Sequence, residues 1–365
     1  MAEPPVVAYF ITPHGFGHAS RAAAVMAALS GAAREVRFEL FTTCPRWIFE
    51  DTLGEDFGYH PEVVDIGMVQ TSPLQEDVAA TVRALDRWLP FDASLVARLA
   101  GQVLDLGCRL VVCDIAPLGL AVSRAAGLPG VLVENFTWDW IYDGYARHDA
   151  GLQPHIAYLA KIFAQADHRL QTSPLCQPLS STIKIEPISR KIRSGRALVR
   201  QRLGLSAGDP MVLVSMGGVP DRLEFLSKLP DRIAPILVIP GADGRACSHP
   251  RVILLPAHSD LYHPDLVAAA DALIAKAGYS IVAEAYHDGV PFGYIRRPQS
   301  PESEILEQFI VKHLPSRPIS SEAYADGTWI HELPELLHLP RATAKTDNGA
   351  DAAARYLLEL LSGEK

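Results

Sequence analysis

The apolar run Val6–Ile11 passes directly into Thr12-Pro-His-Gly-Phe-Gly-His-Ala-Ser-Arg21 and then into an Ala-rich stretch. A buried strand that ends in a glycine turn and opens a helix is the building unit of open α/β sheets. Such sheets place their ligands at the carboxyl ends of the strands. Gly15 and Gly17 let the backbone turn sharply and leave room for a substrate. His18 falls at the expected helix N-terminus, and Arg21 lies at the start of the same helix. The spacing is not that of a dinucleotide site, because Ser20 stands where a third glycine belongs. His, Gly and Arg crowded at one strand terminus mark a ligand site more than a plain turn.

The same texture extends along the chain. Strands are expected at Val6–Ile11, Val36–Phe41, Val63–Ile66, Leu110–Cys113, Gly130–Val133 and Arg169–Gln171. Helices are expected between them, at His18–Leu29, Arg46–Asp51, Leu74–Leu106 (broken at Pro90), Leu118–Ala126 and His155–Gln165. Short buried runs separated by helices predict a parallel sheet covered on both faces. Residues 173–194 carry Pro174, Pro178 and Pro187 with little periodicity, which reads as an interdomain connection. A second series follows. Its strands are Met211–Ser215, Ile236–Ile239, Val252–Leu255, Ala272–Ala275 and Phe292–Ile295. Its helices are Arg222–Leu229, Pro264–Ala270, Ser280–His287 and Glu302–His313. An amphipathic run, Ala350–Leu361, closes the chain. The expected architecture is two tandem Rossmann-like, doubly wound parallel-sheet domains facing a cleft. Their bounds are residues 1–172 and 195–343. A linker at 173–194 joins them, and a C-terminal helix within 344–365 packs back toward the N-terminal domain.

Several strand ends carry chemistry. In the second half, Ala275-Lys-Ala-Gly278-Tyr279-Ser280 runs from a strand through a glycine into a helix. The free N–H groups and dipole of a helix start suit a diphosphate. Ser280 is expected to cap that helix, and Gly278 to take a positive φ. Glu284 lies one turn on, where a carboxylate can accept two ribose hydroxyls. Gly217 and Gly218 end the strand Met211–Ser215 and suit close approach to a phosphate. The loop with His258 follows another strand and is a candidate to receive a base. Glu302 and Glu304 follow Arg296-Arg297 and are candidates to grip sugar hydroxyls. In the first half, Asp114 ends a strand and is a candidate to orient His18 as a general base. Asp114 can equally cap the helix near Leu118. The run Glu134-Asn135-Phe-Thr-Trp138-Asp139-Trp140 offers aromatic and polar groups to an acceptor. One of Trp138 and Trp140 is expected to pack into the domain instead.

Composition narrows the partners. At 365 residues, 48% hydrophobic and 21% charged, two domains can each bury a core. The net charge of −9 speaks against a nucleic-acid partner. The basic stretch Arg190–Arg202 reads as a solvated linker or helix face, with an anionic ligand as the minority reading. Cys44, Cys108, Cys113, Cys176 and Cys247 are scattered, with no Cys-x-x-Cys pair and no zinc spacing, which suggests buried thiols in a reducing compartment. No basic N-terminal region precedes Val6, and no apolar run approaches the ~20 residues that span a bilayer. A cytoplasmic protein with no transmembrane segment is expected.

Taken together, these motifs resemble the GT-B glycosyltransferases that use nucleotide sugars. The likeness is greatest to the glycosyltransferase-like N-terminal region of L-arabinokinases and its stand-alone bacterial relatives. It rests on His14-Gly-Phe-Gly-His18-Ala-Ser-Arg21, Asp114-Ile-Ala-Pro, Asn135-Phe-Thr-Trp-Asp139, and Lys276-Ala-Gly-Tyr-Ser280 through Glu284 and Arg296-Arg297. It implies a donor-binding C-terminal domain, an acceptor-binding N-terminal domain and inversion at the anomeric carbon without a bound metal. His18 matches the base and Asp114 its orienting carboxylate. Gly217, Gly218, His258, Gly278, Tyr279, Ser280, Glu284, Glu302 and Glu304 are the donor candidates. His14, Gly15, Phe16, Gly17, Arg21, Asn135, Trp138 and Asp139 are the acceptor candidates. The co-substrate is a nucleoside-diphosphate sugar, UDP being the commonest carrier; the acceptor is a sugar, lipid or small molecule. The chain departs from relatives in having Tyr279-Ser280 at the diphosphate turn and no Gln pair after the last site strand. No GHMP-type phosphate loop occurs, so no kinase activity is expected. A nucleotide-sugar 2-epimerase and a non-catalytic nucleotide-sugar-binding partner of a sugar kinase are the alternative readings.

Overall fold

The computed structural model describes residues 4–32, 36–206, 208–218 and 221–363. In chain order its elements are β1 (Val6–Ile11), α1 (Gly17–Ala32), β2 (Arg37–Phe41), α2 (Trp47–Leu53), β3 (Gly58–His60), a ribbon of β4 (Gln70–Ser72) and β5 (Gln75–Glu76), α3 (Val78–Trp88), α4 (Ala93–Asp105), β6 (Cys108–Asp114), α5 (Pro117–Ala126), β7 (Gly130–Glu134), α6 (Trp138–Tyr145), α7 (Gln153–Phe163), β8 (His168–Thr172) and β9 (Ile183–Ile185). There follow α8 (Arg196–Arg202), β10 (Met211–Ser215), β11 (Ile236–Pro240), β12 (Val252–Leu255), α9 (His263–Ala269), β13 (Ala272–Lys276), α10 (Tyr279–Asp288), β14 (Phe292–Ile295), α11 (Ser303–His313), β15 (Ser316–Ile319), α12 (Ser321–Asp326), α13 (Leu333–Leu337) and α14 (Gly349–Ser362).

The chain divides into two compact units. The first comprises residues 1–69, 76–189 and 347–365; the second comprises 70–75 and 190–346. In the first, a seven-stranded sheet runs β3-β2-β1-β6-β7-β8-β9. In the second, a six-stranded sheet runs β12-β11-β10-β13-β14-β15. Every paired strand in both sheets is parallel. Strands buried on both faces must be apolar throughout, and β1 and β10 are buried at every position. Each sheet reverses its strand order once, between β1 and β6 and between β10 and β13. The turns after those strands flank the two switch points, where the crevice of a doubly wound sheet opens.

Three of the segments assigned from the sequence differ in kind or place, and β4, β5, α6, β15, α12 and α13 were not among the expected elements. The strand placed at Val63–Ile66 is instead β3, Gly58–His60, which pairs with β2. Pro61 follows it and has no N–H with which to extend a ladder. The stretch read as a linker, 173–194, contains β9, which adds the seventh strand. The helix placed at Arg222–Leu229 is a single 3-10 turn, Glu224–Lys228.

The last helix, α14, packs along α1. Its Ala350, Ala353, Ala354, Leu357 and Leu361 belong to the first unit's core. Its N-cap Asn348 accepts the N–H of Ala350 (2.9 Å) and donates to the Ser189 carbonyl (2.8 Å). Among the described residues no helix is long and apolar enough to cross a membrane.

Candidate active sites at the two switch points

The turn after β1 is shaped by Gly15, whose φ of +69° favours glycine. α1 then starts at Gly17 and carries His18 in its first turn. β6 lies beside β1 with Ile11 in register with Asp114. That register brings two residues 96 positions apart into contact: Nδ1 of His18 lies 2.8 Å from Oδ1 of Asp114. A carboxylate only accepts, so the Nδ1 proton faces it and the Nε2 lone pair is left available. Among the described residues no hydrogen bond reaches Nε2, and about a tenth (10%) of the His18 side chain stays exposed. The next residue after Asp114, Ile115, has φ +46°, an outlier for a β-branched side chain. The strained turn falls at the site, as strained backbone often does.

Asp114 is fully buried and does not cap α5, whose N-cap is Ala116. Arg21 grips it with two hydrogen bonds, Nε to Oδ2 (2.8 Å) and Nη2 to Oδ1 (2.6 Å). Burial opposes ionisation, but the Arg21 charge and the bonds from His18 and Arg21 outweigh it and hold the carboxyl below the usual range. Arg21 also donates to Oδ1 of Asn135, whose amide donates to the Thr172 (2.6 Å) and Pro174 (3.1 Å) carbonyls. Arg21 and Asn135, expected to meet an acceptor, are thus the buried frame that holds Asp114.

Around this frame the ring of Phe136 meets His18 edge-on, and Phe16 meets Trp47 likewise. His14 lies edge-on to Trp138, with Gly67 close behind it. Trp138 is the packed tryptophan: it is 1% exposed and its indole donates to Asp65. Asp139 stands in the first turn of α6, with one carboxylate oxygen buried and unpartnered among the described residues.

Asp65 was not singled out from the sequence. It is buried, and its oxygens accept from Thr12 Oγ1 (2.5 Å), the Trp138 indole and the backbone N–H of Ile66 (2.7 Å) and Gly67 (3.3 Å). Burial nevertheless pushes its carboxyl up to about 7. The only signal in the sequence was a carboxylate inside an apolar run.

In the second unit the turns after β10 and β13 lie side by side, with Ser215 in register with Ala275. Gly217 has φ +77°, and a Cβ there would lie 3.6 Å from Cε of Lys276. Gly278 is the N-cap of α10 with φ −143°, so the expected positive φ is not found. The helix begins at Tyr279, one residue earlier than expected, and Ser280 lies inside it rather than capping it. Both corrections share one cause: extended backbone at Gly278 already fits an N-cap.

Glu284 sits one turn into α10 and is 2% exposed. Its Oε1 accepts from Nη2 of Arg190 (3.2 Å), and its Oε2 faces Nδ1 of His263 (3.0 Å). Burial opposes its charge, but His263 and Arg190 outweigh that and hold the carboxyl below its usual range. Nε2 of His263 in turn meets Oγ of Ser215 at 3.0 Å. Neither Ser215 nor His263 was expected to take part in a side-chain line of this kind.

In the basic stretch 190–202, Lys191, Arg193 and Arg202 are exposed, as a solvated face would be, while the other three are tied to carboxylates. Arg196 and Arg200 pair with Asp271, and Arg190 with Glu284. Glu302 is buried against Arg297, which also donates to the Ala277 carbonyl (3.3 Å) and so braces the turn before α10. Glu304 is exposed beside Gln308, and His258 is exposed on its loop.

No protein-family model matches the chain. It is 26% identical over 364 residues to L-arabinokinase of Arabidopsis thaliana, a match covering 98% of this chain and 34% of that protein. The chain therefore spans about a third of the length of the curated relative it matches. Among solved structures it resembles a UDP-glucosyltransferase from Polygonum tinctorium in complex with 3,4-dichloroaniline (14% identity, 99% of both chains, TM-score 0.61). It also resembles the UDP-GlcNAc 2-epimerase from Neisseria meningitidis bound to UDP-GlcNAc (13% identity, 98% of this chain and 100% of that one, TM-score 0.60). With two parallel-sheet units whose strand orders each reverse once, the chain has the GT-B fold, the one its glycosyltransferase neighbours share.

Proposed function

We propose that the chain is an inverting, metal-independent glycosyltransferase. It moves a sugar from a nucleoside-diphosphate sugar, UDP-linked, to an acceptor hydroxyl. The observation that carries this reading is the His18–Asp114 pair at 2.8 Å at the β1–β6 switch point, with no hydrogen bond to Nε2 among the described residues. Nε2 takes the proton of the acceptor hydroxyl as its oxygen attacks the anomeric carbon. The bond from that carbon to the diphosphate breaks, and the nucleoside diphosphate leaves. Asp114 holds the ring and balances the imidazolium. The backbone N–H groups at Gly217, Gly218 and Gly278, with Tyr279 and Ser280 at the start of α10, receive the leaving charge. His14, Phe16 and Asp139 line the acceptor side, and Glu284 reaches the ribose through the lone pairs that Arg190 and His263 leave.

The 2-epimerase reading needs acid–base carboxylates around the sugar. Glu302, its first candidate, is tied to Arg297, which favours transfer. The test is a thermal-shift panel of nucleotide sugars followed by acceptor assays. A bound donor at 100 times its dissociation constant adds ~2.7 kcal/mol of stability. In His18→Ala, turnover should fall ~10²–10⁴-fold while donor binding persists. Near-normal turnover would remove His18 as the base. Epimer formation without acceptor or released nucleoside diphosphate would replace the transferase with an isomerase. Tight binding with no transfer across many acceptors would leave a sensor or kinase partner.

A further inference from the structure

Of the line Ser215–His263–Glu284–Arg190, only Glu284 enters the transfer just described, at the ribose. The line starts at a strand end on the β10–β13 switch point and runs inward to a buried ion pair. Its hydrogens can be placed from chemistry alone. Glu284 is an acceptor, so Nδ1 of His263 carries a proton toward it. When the ring is neutral, Nε2 is a lone pair and must accept the Ser215 hydroxyl proton. Ser215 then shows only oxygen lone pairs to anything at the strand end, and an anionic phosphate is repelled there. When the ring takes a second proton, Nε2–H donates to Ser215 Oγ. The hydroxyl hydrogen is released to donate outward. The charge count changes in the same direction. Arg190 and Glu284 cancel, so the protonated ring adds one net positive charge beside Ser215.

We infer that binding of a nucleoside diphosphate in the second unit is coupled to uptake of one proton by His263, which turns Ser215 from an acceptor into a donor toward the phosphate. The inference rests on the donor reading proposed above. The proton comes from solvent and no covalent bond between heavy atoms changes. The charged groups around the ring leave it this role. From α10, Glu284 faces it and Asp288 lies behind Glu284. From α8, Arg196 and Arg200 are both turned to Asp271. On its own helix, Asp265 accepts the backbone N–H groups of Arg193 (2.7 Å) and Ser194 (3.1 Å). Arg190 and Arg193 lie over the ring of Tyr262. Lys276 ends β13 and donates to the Pro73 carbonyl (3.4 Å).

The experiment is calorimetric titration of the full chain with UDP-glucose from pH 6 to 8.5, in two buffers of different ionisation enthalpy. UDP-glucose has no group of its own that titrates in that range. Uptake of up to one proton per bound UDP-glucose is expected, with affinity falling up to tenfold per pH unit wherever that uptake is complete. In His263→Gln the side-chain amide can donate to Ser215 at every pH, so binding should persist with no uptake and no pH dependence. Binding without uptake by the unaltered chain overturns the coupling, as does uptake that survives in His263→Gln. Should that variant not fold, nitrogen NMR of the unaltered chain decides. On adding UDP-glucose at pH 7.5, Nε2 of His263 must gain a proton, and an unchanged ring overturns the coupling. If neither UDP-glucose nor GDP-mannose binds at any pH, the donor reading itself fails, a result distinct from binding without a proton.

Discussion

Asp114 shows how one carboxylate can hold a histidine ring while an arginine holds it in turn. Its two oxygens are shared between His18 and the fork of Arg21, so the ring is held by a group that is itself immobilised. The candidates His18 and Asp114 were legible because each ends or follows an apolar run. Arg21 and Asn135 were legible as members of the site, but their part as its frame was not. Polar residues in a glycine turn look alike in sequence whether they face a ligand or each other. Asp65 was not legible because two of its four donors, Thr12 and Trp138, lie more than fifty residues away in the chain. It carries a pH dependence that can be measured. An unfolded Asp ionises near 3.8, whereas Asp65 keeps its proton to about 7. Between those values the folded state holds a proton that the unfolded state has lost. Its contribution to stability is therefore full below about 4 and is lost as pH rises through 7. Asp65→Asn should abolish that slope. It should also cost ~1–3 kcal/mol, because an NH₂ would face donors. Denaturant unfolding at pH 5 and pH 8 checks both; an unchanged slope would assign it to another group.

The strand–turn–helix unit at β13–α10 was legible in outline, yet its backbone conformation was not. A glycine before a helix is compatible with several φ values, and the choice of φ −143° belongs to the way the turn joins sheet to helix. That choice yields a clean test. Gly278 needs no left-handed conformation, and a Cβ there would meet nothing within 4 Å. Gly278→Val should accordingly fold with a melting temperature close to that of the unaltered chain. If the diphosphate lies on this turn, the variant should lose nucleotide-sugar affinity by at least tenfold, since the branched side chain would fill the phosphate path. Calorimetric titration beside a thermal melt separates the outcomes. Normal affinity in a folded variant would take the diphosphate off this turn. The strands β3, β9 and β15 were the elements least legible. Each is three or four residues long and lies at a sheet edge, where one neighbouring strand supplies its ladder.

The chain's last fourteen-residue helix, α14, closes the first unit. Leu357 and Leu361 are buried in that core, and burying a leucine contributes ~1.5–3 kcal/mol. Truncation after Thr346 should therefore remove ~3–6 kcal/mol from the first unit through these two residues alone, a large part of a typical domain's stability. Calorimetry should show an early transition for the first unit and a later one for the second. A single transition at the original temperature would mean that α14 contributes little. By itself the sequence determined the class of fold. Continuous apolar runs must be buried on both faces, and helical periodicity between them admits little but parallel sheets covered by helices. It also determined that His, Gly and acidic residues gather at strand ends, because polar groups are confined to where the buried runs stop. The tertiary structure alone decided strand order and register. Those placed β1 beside β6 and β10 beside β13, and so joined His18 to Asp114 and Ser215 to His263. The physical reason is that local propensity is read within a few residues, whereas pairing across 96 residues is settled only when every strand has found its place in the sheet.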